Sequence, residues 1–226
     1  MQTYDELVAS RKNCRICIQT DPGKIHNGVE FGFDPQVISY WSQWLGHKTP
    51  KLLIVGQDFG DVGYFKRYQG ADEPKNKTNE NLRELLSEAG LEVEKAPDRD
   101  ETSPVFLTNS ILCLKEGRMN APVKQRWVDA CAQHHLLPLT NYLNAPIVVG
   151  MGANGWSAVR QVFPLVTPPA IIPEITRAAG SSWVTKAGTR IFPVVHCSNL
   201  GFRNRRRDQQ VSDWQKIGAA LQALPN

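Results

Sequence analysis

Four apolar runs in this sequence have the length of buried β-strands and limit the folds that the chain can adopt. They span residues 51–55, 105–112, 147–152 and 190–195. Segments with apolar residues at helical spacing separate the runs, over 78–89, from Pro122 onwards, over 154–163 and from Asp208 onwards. This alternation predicts an α/β fold with a central, mostly parallel, four-stranded sheet and helices on both faces.

The length of the chain fits one domain. Its 226 residues can bury a sizeable core, and no linker-like stretch divides them, so we expect a single domain over residues 1–226. The N-terminus has no apolar signal core, and no run approaches the length that spans a bilayer. We therefore expect a cytoplasmic protein that binds no membrane, and we expect it to be a monomer.

Two polar loops follow the first and the last apolar runs. Gly-Gln-Asp-Phe-Gly occupies residues 56–60, and His-Cys-Ser-Asn-Leu occupies residues 196–200. In open α/β proteins the carboxyl ends of parallel strands form one edge, where ligands bind. We expect Asp58 and His196 to lie at that edge, with Asn109 at the end of the second run. The simpler alternatives are a helix cap for Asp58 and an ordinary core position for His196.

The five cysteines indicate a metal site. Disulfides are not expected in a reducing compartment, and the spacing of Cys14 and Cys17 lets both thiolates face one ion. Cys113 and Cys131 lie far downstream, which is not the layout of a zinc ribbon. The usual alternative for each cysteine is a small buried apolar residue. Cys197 is left over inside the histidine loop.

Basic residues are concentrated directly after the histidine loop. The formal charge of +4 is compatible with an anionic partner without requiring one. A solvated basic turn is the ordinary explanation of such a cluster, but its place beside the candidate site favours contacts with phosphates. The cluster consists of Arg203, Arg205, Arg206 and Arg207.

These loops resemble the two active-site motifs of the uracil-DNA glycosylase superfamily. The segment 107–113, together with the later Cys131, is similar to the iron–sulfur branch of that superfamily, family 4. The resemblance implies that a [4Fe–4S] cluster pins the N-terminal segment 10–20 to the rest of the chain. Zinc in the same thiolates is the alternative, because a sequence does not distinguish the two. The implied ligands are Cys14, Cys17, Cys113 and Cys131.

The resemblance also implies an enzyme, a DNA glycosylase that hydrolyses a base–sugar bond. Such cleavage develops positive charge on the sugar and negative charge on the base. Asp58 suits the first task and can orient water, while His196 suits the second as a donor to the base. The amide of Asn109 can match O4 and N3–H of uracil. Further contacts with the base are expected from Gln57, Phe59 and Gly60, and further contacts with DNA from Ser198 and Leu200.

Two departures from the superfamily concern the choice of base. Family 4 has a stacking aromatic before the helix at Leu82, and residues 72–77 contain none, so Phe59, Tyr64 or Phe65 are its candidate replacements. The uracil-specific enzymes place a tyrosine where this chain has Gly60. We therefore expect tolerance of substituents at C5 of the pyrimidine.

The sequence thus predicts a DNA glycosylase for uracil or a modified pyrimidine, which leaves an abasic site in single- or double-stranded DNA. One alternative is a glycosylase for bulky modified cytosines in phage DNA, with a role in defence. Another is a DNA-binding module of the same fold without catalytic activity.

Overall fold

A computed structural model of the chain describes residues 2–32, 48–68, 73, 75–94, 103–163 and 174–225. Its strands, in chain order, are β1 (Ile25–His26), β2 (Leu52–Gly56), β3 (Val105–Asn109), β4 (Leu114–Lys115), β5 (Ile147–Met151), β6 (Trp183–Val184) and β7 (Arg190–Val194). Its α-helices are α1 (Tyr4–Asn13), α2 (Ile16–Thr20), α3 (Val62–Arg67), α4 (Lys77–Glu88), α5 (Gln125–Cys131), α6 (Leu137–Leu143), α7 (Gly152–Val162), α8 (Ile175–Ala178), α9 (Asn199–Asn204) and α10 (Arg207–Gln222).

The central sheet has five strands in the order β3-β2-β5-β7-β6. The first four are parallel, as the apolar runs predict, and β6 pairs antiparallel with β7 at the edge. The predicted number of four strands was therefore one too few. The strand β6 was missed because it has only two residues, which is too short to show a periodic pattern in the sequence.

Both faces of the sheet are covered, which explains why its strands are apolar throughout. Leu53 and Val55 of β2 face a core that includes α1, α5, α6 and α7, whereas Leu52 and Ile54 face a core formed with α4 and α10. A strand buried on both faces gains nothing from alternating polar residues. No helix among the described residues combines the length and the apolar character needed to cross a membrane.

Helix boundaries agree with the sequence at three places and differ at one. α4, α7 and α10 begin and end within two residues of the predicted positions where these were given. Pro122, however, does not open a helix: α5 begins at Gln125, because Lys124 keeps an extended backbone as its N-cap residue. The helix that carries Cys131 therefore starts three residues later than predicted.

The N-terminal segment is joined to the body of the protein by a second, small sheet. Ile25 pairs with Lys115 and His26 with Leu114 in antiparallel register. Lys115 also forms a parallel bridge with Asp61, which lies in the loop between β2 and α3. β4 therefore links the N-terminal segment to the loop that follows the first strand of the central sheet.

Candidate active site

The candidate active site is a cleft at the carboxyl edge of the central sheet. Asp58 lies two residues after β2, Asn109 is the last residue of β3, and His196 lies two residues after β7. All three residues line one cleft of about 880 Å³. The structure therefore brings together the three side chains that the sequence singled out.

Three hydrogen bonds hold the carboxylate of Asp58. Lys115 Nζ donates to Oδ2 at 2.7 Å, and Gln57 Nε2 donates to the same oxygen at 2.9 Å. The backbone N–H of Gly60 donates to Oδ1 at 2.7 Å. Asn154 Nδ2 in turn donates to Gln57 Oε1 at 2.9 Å, which fixes the direction of the Gln57 amide. A carboxylate has about four acceptor positions, so one position, on Oδ1, is left for a substrate or a water molecule.

Asp58 is not a helix cap. The helix after this loop, α3, is capped by Asp61, whose side chain accepts a hydrogen bond from the backbone N–H of Tyr64 at 2.8 Å. The simpler explanation for Asp58 is therefore wrong, and its carboxylate lines the cleft instead.

The imidazole of His196 is oriented by its own loop. The backbone N–H of Ser198 donates to His196 Nδ1 at 3.2 Å, which assigns the proton of the neutral ring to Nε2. Burial lowers the pKa of His196, and the nearby charge of Asp58 opposes this shift only in part. The histidine is therefore neutral at pH 7 and carries a donor on Nε2.

One glycine leaves room for the histidine loop. A Cβ on Gly201 would lie 1.6 Å from the carbonyl oxygen of His196, whereas a Cβ on Gly152 would make only an ordinary contact with His196 Cβ, at 3.4 Å. On the other side of the loop, Asn81 Nδ2 of α4 donates to the carbonyl oxygen of Cys197 at 2.8 Å. Cys197 is buried, so it packs behind the loop and does not line the cleft.

Asn109 is positioned by a close approach between β3 and β2. A Cβ on Gly56 would lie 2.6 Å from Asn109 Oδ1, so any larger residue at position 56 would displace this amide. The next residue, Ser110, donates from Oγ to the carbonyl oxygen of Gln57 at 2.8 Å. Asn109 is buried in the wall of the cleft, and its neighbours fix the ends of both strands.

The space beside Gly60 is occupied by another side chain. A Cβ on Gly60 would lie 2.8 Å from Met119 Sδ and 2.9 Å from Met119 Cε. Gly60 also has a φ of +97°, a conformation that other residues rarely adopt. The expectation of an open side at Gly60 is therefore corrected: Met119, from the loop after β4, covers it. The candidate aromatic residues Phe59, Tyr64 and Phe65 also line the cleft.

Ser198 and Leu200 lie at the rim of the cleft. Ser198 is the N-cap of α9, and its Oγ accepts a hydrogen bond from the backbone N–H of Gly201 at 3.3 Å. The side chain of Leu200 is 65% exposed, so it is not folded back onto the core. An exposed leucine at the mouth of a cleft is available to a bound partner.

The arginine cluster divides into paired and unpaired residues. Arg205 donates from Nε and Nη2 to the buried carboxylate of Asp213 at 2.5 and 2.7 Å. Arg206 pairs with Asp208, and Arg207 contacts Glu84. Arg203 is exposed and has no ion-pair partner within the described parts of the chain. Arg205 therefore has a structural role, and Arg203 is the member best placed to contact phosphates.

The four predicted ligand cysteines lie in one region. Cys17 and Cys131 are hydrogen-bonded to each other, which lowers the pKa of the Cys17 thiol and, together with burial, raises that of Cys131. Burial and the neighbouring Cys14 and Cys17 raise the pKa of Cys113 to about 12. The donors fit a cluster or zinc in kind, because a metal would stabilise thiolates that burial otherwise disfavours. No group of three or more His, Cys, Asp and Glu side chains among the described residues has the arrangement of a metal site.

An ion-pair network around Asp21 also fixes this region. The carboxylate of Asp21 accepts from Lys124 Nζ at 2.5 Å, from Arg126 Nε at 2.7 Å and from Trp127 Nε1 at 2.7 Å. These contacts hold the pKa of Asp21 far below its usual range. They join the segment after α2 to the helix that carries Cys131.

Four residues of this arrangement were not found from the sequence. Three of them act on the cleft from segments whose neighbouring residues give no sign of this contact: Lys115, Asn154 and Met119. The fourth, Asp21, pairs with residues more than a hundred positions away in the sequence. Only Lys115 left a signal in the sequence. It directly follows the apolar run 111–114, and a lysine at the end of a buried run stands out as a charged residue in an apolar place.

The sheet is mostly parallel, and an acid, a histidine and an amide line one cleft at its carboxyl edge. This arrangement is that of an α/β enzyme. The sequence model of the Uracil DNA glycosylase superfamily matches residues 44–218, and the chain belongs to this superfamily. Its members are typically DNA glycosylases. A comparison with curated protein sequences gives no significant match.

Proposed function

We propose that this protein is a DNA glycosylase that hydrolyses the N-glycosidic bond of uracil or a modified pyrimidine and leaves an abasic site. One observation carries the proposal: Asp58, His196 and Asn109 line the same cleft at the carboxyl edge of the sheet. Each of them suits a different part of a pyrimidine nucleotide, and the residues matched by the superfamily include all three.

Asp58 acts on the sugar. As the base departs, the sugar gains oxocarbenium character, and an adjacent carboxylate stabilises that charge. The acceptor position left on Oδ1 can face the sugar or hold the attacking water, while Lys115 and Gln57 keep Oδ2 turned away from it. The carboxylate therefore contributes through its charge and its orientation, and no covalent bond to the sugar is required.

His196 acts on the departing base. Its neutral ring carries the donor on Nε2, which can form a hydrogen bond with O2 of the pyrimidine as negative charge develops there. A donor held in place by Ser198 requires no reorganisation during the reaction. The lowered pKa supports this role, because the ring does not need to lose a proton at neutral pH.

Asn109 and Met119 bear on the choice of base. With Asp58 at the sugar, His196 at O2 and Asn109 at N3 and O4, the C5 edge of the ring faces the remaining wall of the cleft, at Gly60 and Met119. A methionine side chain is flexible and adapts to different shapes. This wall favours tolerance of 5-substituted pyrimidines, and it keeps bulky modified cytosines of phage DNA as a second candidate substrate.

DNA binding follows from the rim of the cleft. A base inside a duplex is reached only after it is flipped out of the stack, and an apolar side chain can fill the gap. Leu200 has the exposure and the position for that task, and Arg203 can contact a neighbouring phosphate. Single-stranded DNA would need the arginine but not the leucine.

We also propose that Cys14, Cys17, Cys113 and Cys131 hold a [4Fe–4S] cluster, with zinc as the alternative. Support comes from the donor set, in which all four are cysteines and Cys17 contacts Cys131. The group would cross-link the N-terminal segment to the loop after β3 and to α5, and it has no part in base release.

The test is a base-release assay on single- and double-stranded oligonucleotides that carry uracil, hypoxanthine, mismatched thymine or a 5-substituted cytosine. Alkali converts each abasic site into a strand break. We expect breaks with at least one pyrimidine substrate. Asp58→Asn and His196→Ala should each slow release by ~10²-fold or more with DNA affinity retained. His134→Ala, which alters an exposed histidine, is the matched control.

Binding of DNA without a strand break on any substrate would support the non-catalytic DNA-binding module instead. Breaks confined to bulky modified cytosines would point to defence against phage DNA.

A further inference from the structure

Lys115 is a buried cation whose only contact with the groups of the proposed reaction is its hydrogen bond to Asp58. Its side chain is 1% exposed, and its Nζ lies 2.7 Å from Asp58 Oδ2, a carboxylate that is itself 7% exposed. Burial of a charged side chain is costly unless it is paired and hydrogen-bonded. A lysine kept in such a position at the rear of a proposed catalytic acid requires an explanation.

The position of Lys115 excludes a role as a group that touches DNA. Asp58 is part of the wall of the cleft, whereas Lys115 is not among the described residues that line it. The ammonium lies on the side of the carboxylate that faces the protein interior. It can therefore affect the reaction only through Asp58.

The backbone of Lys115 is as firmly held as its side chain. It pairs with Ile25 in the antiparallel pair β1–β4, and it bridges to Asp61, three residues after Asp58 in the same loop. The ammonium is thus presented from a backbone attached to the very loop whose carboxylate it binds. A lysine on a free loop would lose more side-chain and backbone freedom in forming the same ion pair.

We propose that Lys115 is a positioning residue for Asp58. It draws Oδ2 inward, and together with Gln57 it turns Oδ1 and its remaining acceptor position towards the cleft. It also balances the charge that Asp58 carries in a largely buried place. This inference rests on the proposed glycosylase activity, in which Asp58 acts on the sugar.

The experiment compares the wild type, Lys115→Met, Asp58→Asn and the double variant Asp58→Asn/Lys115→Met. Single-turnover rates of base release and dissociation constants for the same oligonucleotide are measured for each. Lys115→Met should slow release by about 10- to 100-fold, the effect of a misplaced catalytic group, and change DNA affinity by less than about twofold. In the Asp58→Asn background the same change should alter the rate by less than about threefold, because the lysine has no carboxylate left to position.

A matched control removes another lysine that pairs with a buried aspartate. Lys124→Met breaks the ion pair with Asp21, away from the cleft, and should leave the rate of base release within about twofold of the wild type. A loss of rate in this variant as large as that in Lys115→Met would overturn the proposal, since any broken lysine–aspartate pair would then have the same effect.

Thermal midpoints and the double variant test the pairing of Lys115 with Asp58 further. The double variant contains neither buried charge, so its thermal midpoint should exceed those of both single variants; a midpoint below both would overturn the pairing. If Lys115→Met fails to fold, the comparison of Asp58→Asn with the double variant remains, and a slowing of about tenfold or more there would overturn the proposal. Absence of base release by the wild type would refute the proposed function, while the thermal midpoints would still test the pair.

Discussion

Met119→Ala should widen the range of bases that the protein releases. In the structure the tip of Met119 lies over Gly60, where a Cβ would be 2.8 Å from Sδ and 2.9 Å from Cε. The substitution removes these atoms without changing the backbone of the loop at Gly60. Substitution of Gly60 itself is a poorer test, because its φ of +97° would strain any other residue.

The magnitude follows from the space released. One methylene more or less in an apolar pocket changes the relative rate for two substrates by about 10- to 200-fold. Met119 is 45% exposed, so part of its side chain borders solvent and the lower end of this range applies. We expect the rate for a 5-substituted pyrimidine, divided by the rate for uracil, to rise about tenfold.

The assay mixes two oligonucleotides of different length in one tube, one with uracil and one with the 5-substituted base, under single-turnover conditions. Leu200→Ala is the control, because it also removes an exposed apolar side chain from the rim but does not lie over Gly60. It should slow both substrates alike. A ratio that Met119→Ala leaves within about twofold of the wild type would refute our placement of C5 beside this wall.

Three other predictions concern pH, charge and metal. Because burial lowers the pKa of His196, the single-turnover rate should stay constant as the pH falls to about 6.5, the ordinary histidine value, and decline only below it; a decline centred above that value would contradict a neutral donor. Arg203→Ala should weaken DNA binding and reduce its salt dependence, whereas Arg205→Ala should leave Asp213 buried without its partner and lower the free energy of unfolding by about 3 kcal/mol, measured in urea. The purified protein should be brown, with absorbance near ~400 nm. Cys113→Ala should lose the colour and reduce the stability of the protein more than it reduces the rate of base release. One zinc and no iron after anaerobic purification would refute the cluster.

Much of the fold could be predicted because it depends on local patterns. Strands buried on both faces must be apolar, so the four parallel strands were visible as continuous runs. The helices α4, α7 and α10 were visible through their 3.6-residue periodicity. The edge strand β6 was missed because two residues carry no period. The start of α5 was misplaced because a proline favours a first turn without requiring one.

The candidate site could be predicted only as far as strand ends determine it. Asp58, Asn109 and His196 lie at the carboxyl ends of β2, β3 and β7, which are parallel strands of one sheet, and so they share one edge of it. Lys115 contacts Asp58, and Met119 covers Gly60, from segments that are far away in the sequence, and the sequence does not show which residues they contact. The same holds for the arginines: their sequence shows a basic cluster, but only the fold shows that Asp213 already holds Arg205.

The two-residue pairing of β1 with β4 gives the N-terminal segment an influence on chemistry that takes place elsewhere. Ile25 binds the backbone of Lys115, and Lys115 binds Asp58, so the segment that carries Cys14 and Cys17 is two steps from the proposed catalytic carboxylate. Leu7, Val8 and Ile25 of this segment also pack in the core, so proteolytic clipping near residue 26 would lower the stability of the protein as well as its rate of base release. For anyone who purifies this protein, the specific activity of a preparation measures the integrity of its first thirty or so residues as much as that of its cleft.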